Sequence, residues 1–214
     1  SLYRGMDAVL AMLWYDTDGY EFDHTTFPLD KAYGQKNFSA VSMRSSWDDP
    51  DALFIGLEGA MPATNHMNYS AGTFMIESDG VVWATMRGYG SSADAAVNYA
   101  GRAEGQNTTV LNPNEGAGQA YRVLAPLYKA DSSENSGYGI IDMTPMDAGY
   151  KKALRGVMMT DNRTRVLLQD ELTTKEPSEW WWFMHTAAKS TLSADRKSVL
   201  LEDEKTGARM WMHI

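Results

Sequence analysis

A large antiparallel β-sandwich, all-β apart from one N-terminal helix, is the fold class that the sequence predicts, and three observations predict it. From Phe38 onward, short runs of β-branched, aromatic and methionine residues alternate with turn residues, the texture of antiparallel strands. Three links carry hairpin chemistry of their own: SDGV around Asp79 and Gly80, TDNRT around Asn162, and EKTGA around Gly207. A chain of 214 residues with 43% hydrophobic content is also long enough to bury one large core.

Taken in order, the elements follow from pattern. Met6, Val9, Leu10, Leu13 and Trp14 recur at helical spacing and give residues 2 to 15 one apolar face. The stretch DTDGYEFDHTTFPLDKAYGQ that follows is polar and rich in turn residues, the composition of a linker or an extended crossing segment. Strands are expected at 38–44, 51–58, 72–78, 81–87, 107–112, 120–128, 137–143, 151–160, 164–170, 180–187, 197–203 and 208–213. So many short strands suggest a sandwich. Residues 88–106, GYGSSADAAVNYAGRAEGQ, form a polar loop that is long for a hairpin connection, and such loops often carry function.

Composition excludes several classes. A net charge of -9 argues against a nucleic-acid groove, which needs clustered Lys and Arg to displace counterions from phosphate. Zero cysteines exclude disulfides, thiolate zinc ligands and a cysteine nucleophile. No apolar run approaches the ~18 residues that cross a bilayer, and the N-terminus has no signal-peptide cleavage pattern. The end at ARMWMHI falls inside a strand-like run, so truncation there is expected.

Among residues that carry chemistry, His66 stands out, flanked by Asn65 and Asn68 at the entrance of the 72–87 hairpin. An imidazole titrating near neutrality serves as acid or base, and amides neutralise a carboxylate by hydrogen bonding. The structural alternative is a histidine that caps a loop. The run EWWWFMHT offers tryptophans that stack on sugars, but strand alternation turns Trp181 away from Trp180 and Trp182 and favours a buried strand, with His185 a satisfied core or edge histidine. Arg87, Arg102 and Arg122 are the cations expected near the long loop, where they can hold an acidic sugar. His24 and His213 do not converge with His66 to assemble a zinc site, and no Gly-x-Ser-x-Gly elbow supports a hydrolase triad.

Five stretches together resemble the heparinase II/III family of polysaccharide lyases: LWYD at 13–16, MRSSWDDPDALFIGLEGA at 43–60, GTFMIESDGVVWA at 72–84, RAEGQNTTVLNP at 102–113 and VLLQDEL at 166–172. The resemblance implies that residues 1–36 are the last helix and linker of an α/α toroid, and that 37–214 are the C-terminal sandwich. It implies cleavage of an acidic, uronate-containing polysaccharide by β-elimination, with a tyrosine base on the toroid and a sandwich histidine at the cleft. His66 falls on that histidine, the first of the family's His-x-His-x-Asp-x-Gly stretch. Asn65, Asn68, Arg87, Tyr89, Arg102, Gln106 and Asn107 are the expected substrate contacts.

The same resemblance exposes departures. Asn68 stands at the second histidine and Ser70 at the aspartate. The remaining zinc-ligand positions of the family hold Thr85 or Met86 and Gln106, so no zinc or other cofactor is expected. Asn68 and Gln106 can instead hydrogen-bond to one another or to a loop as a metal-free clasp. A periplasmic or secreted setting is implied, with no nucleic acid and no membrane partner. The alternative function is a non-catalytic sandwich that binds acidic glycan or acts as a scaffold.

Overall fold

The computed structural model describes residues 23–59, 68–85, 98–114 and 116–214. The expected helix at 2–15 lies outside them. Among the described residues every strand pairing is antiparallel, in four sheets. Five strands make the first: β1 (Asp30–Gln35), β2 (Phe38–Arg44), β3 (Phe54–Gly59), β4 (Phe74–Ser78) and β5 (Val81–Ala84), paired in chain order. β6 (Thr109–Leu111) pairs with β11 (Trp180–Trp182) as a short ribbon. β7 (Leu127–Ser132), β8 (Gly137–Asp142), β9 (Tyr150–Thr160) and β10 (Arg165–Thr174) form the second large sheet, and β12 (Lys189–Leu192), β13 (Ser198–Glu202) and β14 (Arg209–His213) form a terminal one.

Period-two burial turns these strands into a sandwich. Val41 and Met43 on β2, Ile55 and Leu57 on β3, Phe74 and Ile76 on β4, and Val81 and Trp83 on β5 point inward. They meet Ile141 from β8 and Ala153, Val157 and Met159 from β9 in one core, where β2 and β3 lie over β8 and β9. Gly139 makes that approach possible, because a Cβ there would run into the Val41 side chain. Leu201 brings the terminal sheet onto the same core.

The three hairpins form as their turns dictate. Asp79 and Gly80 both have positive φ, 54° and 66°, as a two-residue type I′ turn requires. Asp161, Asn162 and Arg163 are all left-handed between β9 and β10, and Gly207 (φ 76°) closes the β13–β14 link.

Two strands arise where none was expected. β1 lies within the stretch read as linker, and β12 is exposed along its length, so neither shows the apolar alternation that marks a strand. The expected strand at 120–128 is mostly loop. Arg122 turns left-handed there (φ 56°), Pro126 follows, and the strand begins at Leu127.

Candidate functional site

The β6–β11 ribbon separates two apolar environments, and the site lies on its smaller side. Trp182 turns into the main core and stacks on Phe74, with ring centroids 5.7 Å apart. Phe183 points the other way, against a satellite cluster of Tyr69, Ala103 and Val110. Backbone pairing continues past the ribbon, since Phe183 donates to the Thr108 carbonyl and Thr85 donates to the His185 carbonyl. His185 is thereby fixed beside the end of β5.

Asn107 organises this corner. Its side chain is fully buried, and Nδ2 donates to the carbonyls of Phe74 (2.9 Å) and Thr85 (3.2 Å). Two carbonyl acceptors can be served only by the NH₂ end of the amide, so Oδ1 must face the other way. There it accepts the His185 backbone N–H at 2.7 Å and lies 3.3 Å from His185 Nδ1. The opposite ring nitrogen, Nε2, lies 3.1 Å from the Tyr99 hydroxyl, and the tyrosine is 40% exposed.

Behind Asn107 stands a buried ion pair that the sequence did not reveal. Arg155 is fully buried and binds Asp170 through both Nε (2.7 Å) and Nη2 (2.9 Å). Its Nη1 donates to the carbonyls of Gly72 (2.8 Å) and Asn107 (3.2 Å). One guanidinium therefore ties β9 and β10 to the hairpin entrance and to Asn107.

The 98–106 turn completes the wall. Tyr69 N–H donates to the Gly101 carbonyl at 2.8 Å, and Gln106 Nε2 donates to the Ala100 carbonyl at 2.6 Å. A Cβ on Gly105 would strike the Tyr99 carbonyl, so only glycine allows the turn to close this tightly. Arg102 and Glu104 are 3.4 Å apart and nearly buried, and the Arg102 guanidinium stands 5.6 Å from the Tyr99 ring centroid. On β3, burial pushes the Glu58 carboxyl up from its ordinary range.

Several expected residues meet here. Asn107, Gln106 and Arg102 line the turn and its β6 continuation, and Asn68 adjoins Tyr69, which fastens to the same turn. His66, Asn65, Arg87, Tyr89 and Met86 lie outside the described residues. Tyr99 and His185 are the functional candidates that sequence reasoning did not bring together. Both His185 ring nitrogens lie near polar atoms, in keeping with a satisfied histidine, but one of those atoms belongs to an exposed phenol.

The buried-strand reading of Trp180 and Trp181 is corrected. They are 39% and 51% exposed, because β11 is a three-residue strand whose ladder runs only to β6. Trp181 lies 6.1 Å from Phe183, which stacks on His185 with an interplanar angle of 5°.

The zinc positions of the resembling family hold neutral donors here. Gln106 Nε2 is committed to the Ala100 carbonyl, which makes the clasp one to the loop, and its buried Oε1 has no hydrogen-bond partner among the described residues. Asn68 and Thr85 supply no anionic or imidazole donor, and no group of three or more His, Cys, Asp or Glu that could hold a metal occurs among the described residues. Neutral amides and a hydroxyl are poor zinc ligands.

No family model matches this chain, and no curated protein does. Solved structures match its fold. A heparan sulfate lyase, HepC from Pedobacter heparinus, aligns at a TM-score of 0.72 and 19% identity over 98% of this chain and 32% of its own. The heparinase III BT4657 gene product aligns at 0.70 and 17% over 99% of this chain and 33% of its own. Another heparinase III aligns at 0.66 and 14% identity, covering 91% and 32%. This chain has their β-sandwich fold and spans about a third of their length.

Proposed function

We propose that this chain is the sandwich part of a polysaccharide lyase that cleaves a uronate-containing polysaccharide by β-elimination. The observation that carries the proposal is its fold, shared over nearly its whole length with structures described as heparan sulfate lyase and heparinase III. The site chemistry is compatible with the reaction. Elimination needs a base for the proton α to the carboxylate and donors where charge develops on that carboxylate, and amides, histidine and tyrosine supply both. Exposed Trp181 adds an aromatic face of the kind that stacks on sugar rings.

In this reading His66 assists at the cleft and the rest of the cleft comes from a domain outside this chain. No step runs through zinc. The test is absorbance of unsaturated uronate product, using the full protein that carries this chain on heparan sulfate, alginate, chondroitin and hyaluronan, with and without zinc. Product should form without zinc, and His66→Ala should lower the rate about 10²- to 10⁴-fold. An unchanged rate removes His66 from the chemistry. Saturable glycan binding with no product on any polymer would replace the lyase reading with a non-catalytic glycan-binding sandwich, which the neutral donors Asn68, Thr85 and Gln106 would then suit.

A further inference from the structure

We propose that the outward face of the β12–β13–β14 sheet is a second glycan-binding surface, on which Trp211 stacks on a sugar ring of an acidic polysaccharide while Arg209 and Lys189 bind its acidic groups. The proposal rests on the lyase reading for the kind of polymer, and it uses none of the residues gathered around Asn107.

Strand register decides which side chains share this face. Val199, Leu201 and Met210 pack on the main core, so their neighbours along β13 and β14 face outward. Pairing sets Thr191, Leu200 and Trp211 in one row across the three strands, and Lys189, Glu202 and Arg209 in the next. Arg209 stands two residues, about 7 Å, from Trp211, and Lys189 lies level with Arg209 two strands away, at about 10 Å. Cations so spaced suit the repeated acidic groups of a polymer better than one small anion.

The aromatic part is set before any ligand arrives. Trp211 is 57% exposed, and its ring lies parallel to that of His213 within 8°, with centroids 6.2 Å apart. His213 Nδ1 is in turn 2.8 Å from Ser198 Oγ on the neighbouring strand. A ring already ordered in this way loses little conformational freedom when a sugar stacks on it.

Charge selects the ligand class. One exposed tryptophan is ordinary, but this one stands on a face where two cations outnumber the single carboxylate of Glu202, in a chain whose net charge is -9. An acidic polymer repelled by most of the chain is favoured here. Arg209 meets Glu202 through Nε at 2.9 Å and is 68% exposed, so the rest of its guanidinium is open to water. An exposed ion pair of this kind is weakly held, and the free edge of the guanidinium can take a carboxylate or sulfate through two N–H groups.

The test follows Trp211 itself in the full protein that carries this chain, labelled with 5-fluorotryptophan. Its fluorine resonance is the one lost in Trp211→Phe, and His66→Ala is added to slow cleavage during titration. Oligosaccharides of heparan sulfate, alginate, chondroitin and hyaluronan are the probes, and at least one should shift that resonance saturably. Lys189→Gln combined with Arg209→Gln should raise the half-saturating concentration about fivefold or more, and added salt should raise it too. A resonance that none of the four moves, or that neutral cellohexaose moves at the same concentration, overturns the proposal. Movement with protein concentration alone gives the face to contact between copies of the chain and also overturns it. The product assay is read separately: product without a shift removes this surface and leaves the lyase reading, whereas a saturable shift without product from wild type keeps the surface and removes the lyase reading.

Discussion

At the scale of single residues, the largest effects are expected where one polar group serves several others out of contact with water. Arg155→Ala would leave the Asp170 carboxylate, 8% exposed, without its cation, would take the side-chain donor from the Gly72 carbonyl, and would leave the Asn107 carbonyl with the Phe74 N–H. Removing one partner of a buried pair costs about 3–5 kcal/mol, so the melting temperature should fall by roughly 6–20 °C. Lysine should not rescue it, because a single ammonium cannot span a bidentate carboxylate and two carbonyls at once. Thermal melts of Arg155→Ala and Arg155→Lys check both statements. Glu58 makes an opposite prediction. Burial raises its carboxyl pKa in the folded state, so the native protein holds that proton to higher pH than the unfolded chain does. Its contribution is most favourable below the ordinary value of 4.5 and is lost as pH rises through the raised folded value. Glu58→Gln should therefore flatten that fall and melt higher than wild type at pH 7. A lower melting temperature there would show that the charged form is held by an attraction stronger than its desolvation.

At the scale of elements, turn chemistry was the most legible signal and side-chain convergence the least. Gly80 faces open space where a Cβ would stand, so Gly80→Ala should cost only the left-handed backbone penalty of about 1–2 kcal/mol. Chemical denaturation should show that loss with an unchanged m-value. β2 was expected at 38–44 and forms there because Val41 and Met43 alternate with outward residues. β1 escaped notice because every residue after Asp30 is exposed, leaving no apolar rhythm to read. In the site, Asn107 and Gln106 were nominated from a motif and do cluster. His185 joins Asn107 across 78 residues and Tyr99 across 86, separations over which no local pattern carries information. The exposure of Trp181 was hidden for a related reason. A run of tryptophans reads as core unless one knows that its strand is paired on one side only, and the consequence is functional. Trp181→Ala should raise KM for a polymer substrate several-fold with kcat little changed, the signature of a ring that binds ground state and transition state alike. A fall in kcat at constant KM would place Trp181 in the chemistry instead.

At the scale of the whole molecule, one guanidinium decides whether the two large sheets behave as one body. Arg163, at the tip of the β9–β10 hairpin, is 4% exposed and binds Asp30 of β1 through Nη1 (2.6 Å) and Nη2 (2.9 Å). It also donates to the carbonyls of Ser133, Glu134 and Ser136 in the β7–β8 turn and of Arg44 at the end of β2. The five-stranded and four-stranded sheets are thus clasped at one edge, in addition to the apolar core between them. Asp30→Ala would bury a cation without its counter-charge, and Arg163→Ala would leave the Asp30 carboxylate with only the Ser132 hydroxyl and take the side-chain donor from the Ser133, Glu134 and Arg44 carbonyls, each variant costing about 3–5 kcal/mol. Replacing both by apolar residues should recover part of the loss, because no uncompensated charge is left in the clasp. If the sheets share one cooperative unit, calorimetry should show a single transition that moves down by roughly 6–20 °C in either variant. Two separate transitions in Asp30→Ala would mean instead that each sheet folds on its own contacts and that the clasp, rather than the shared core, is what makes them melt together.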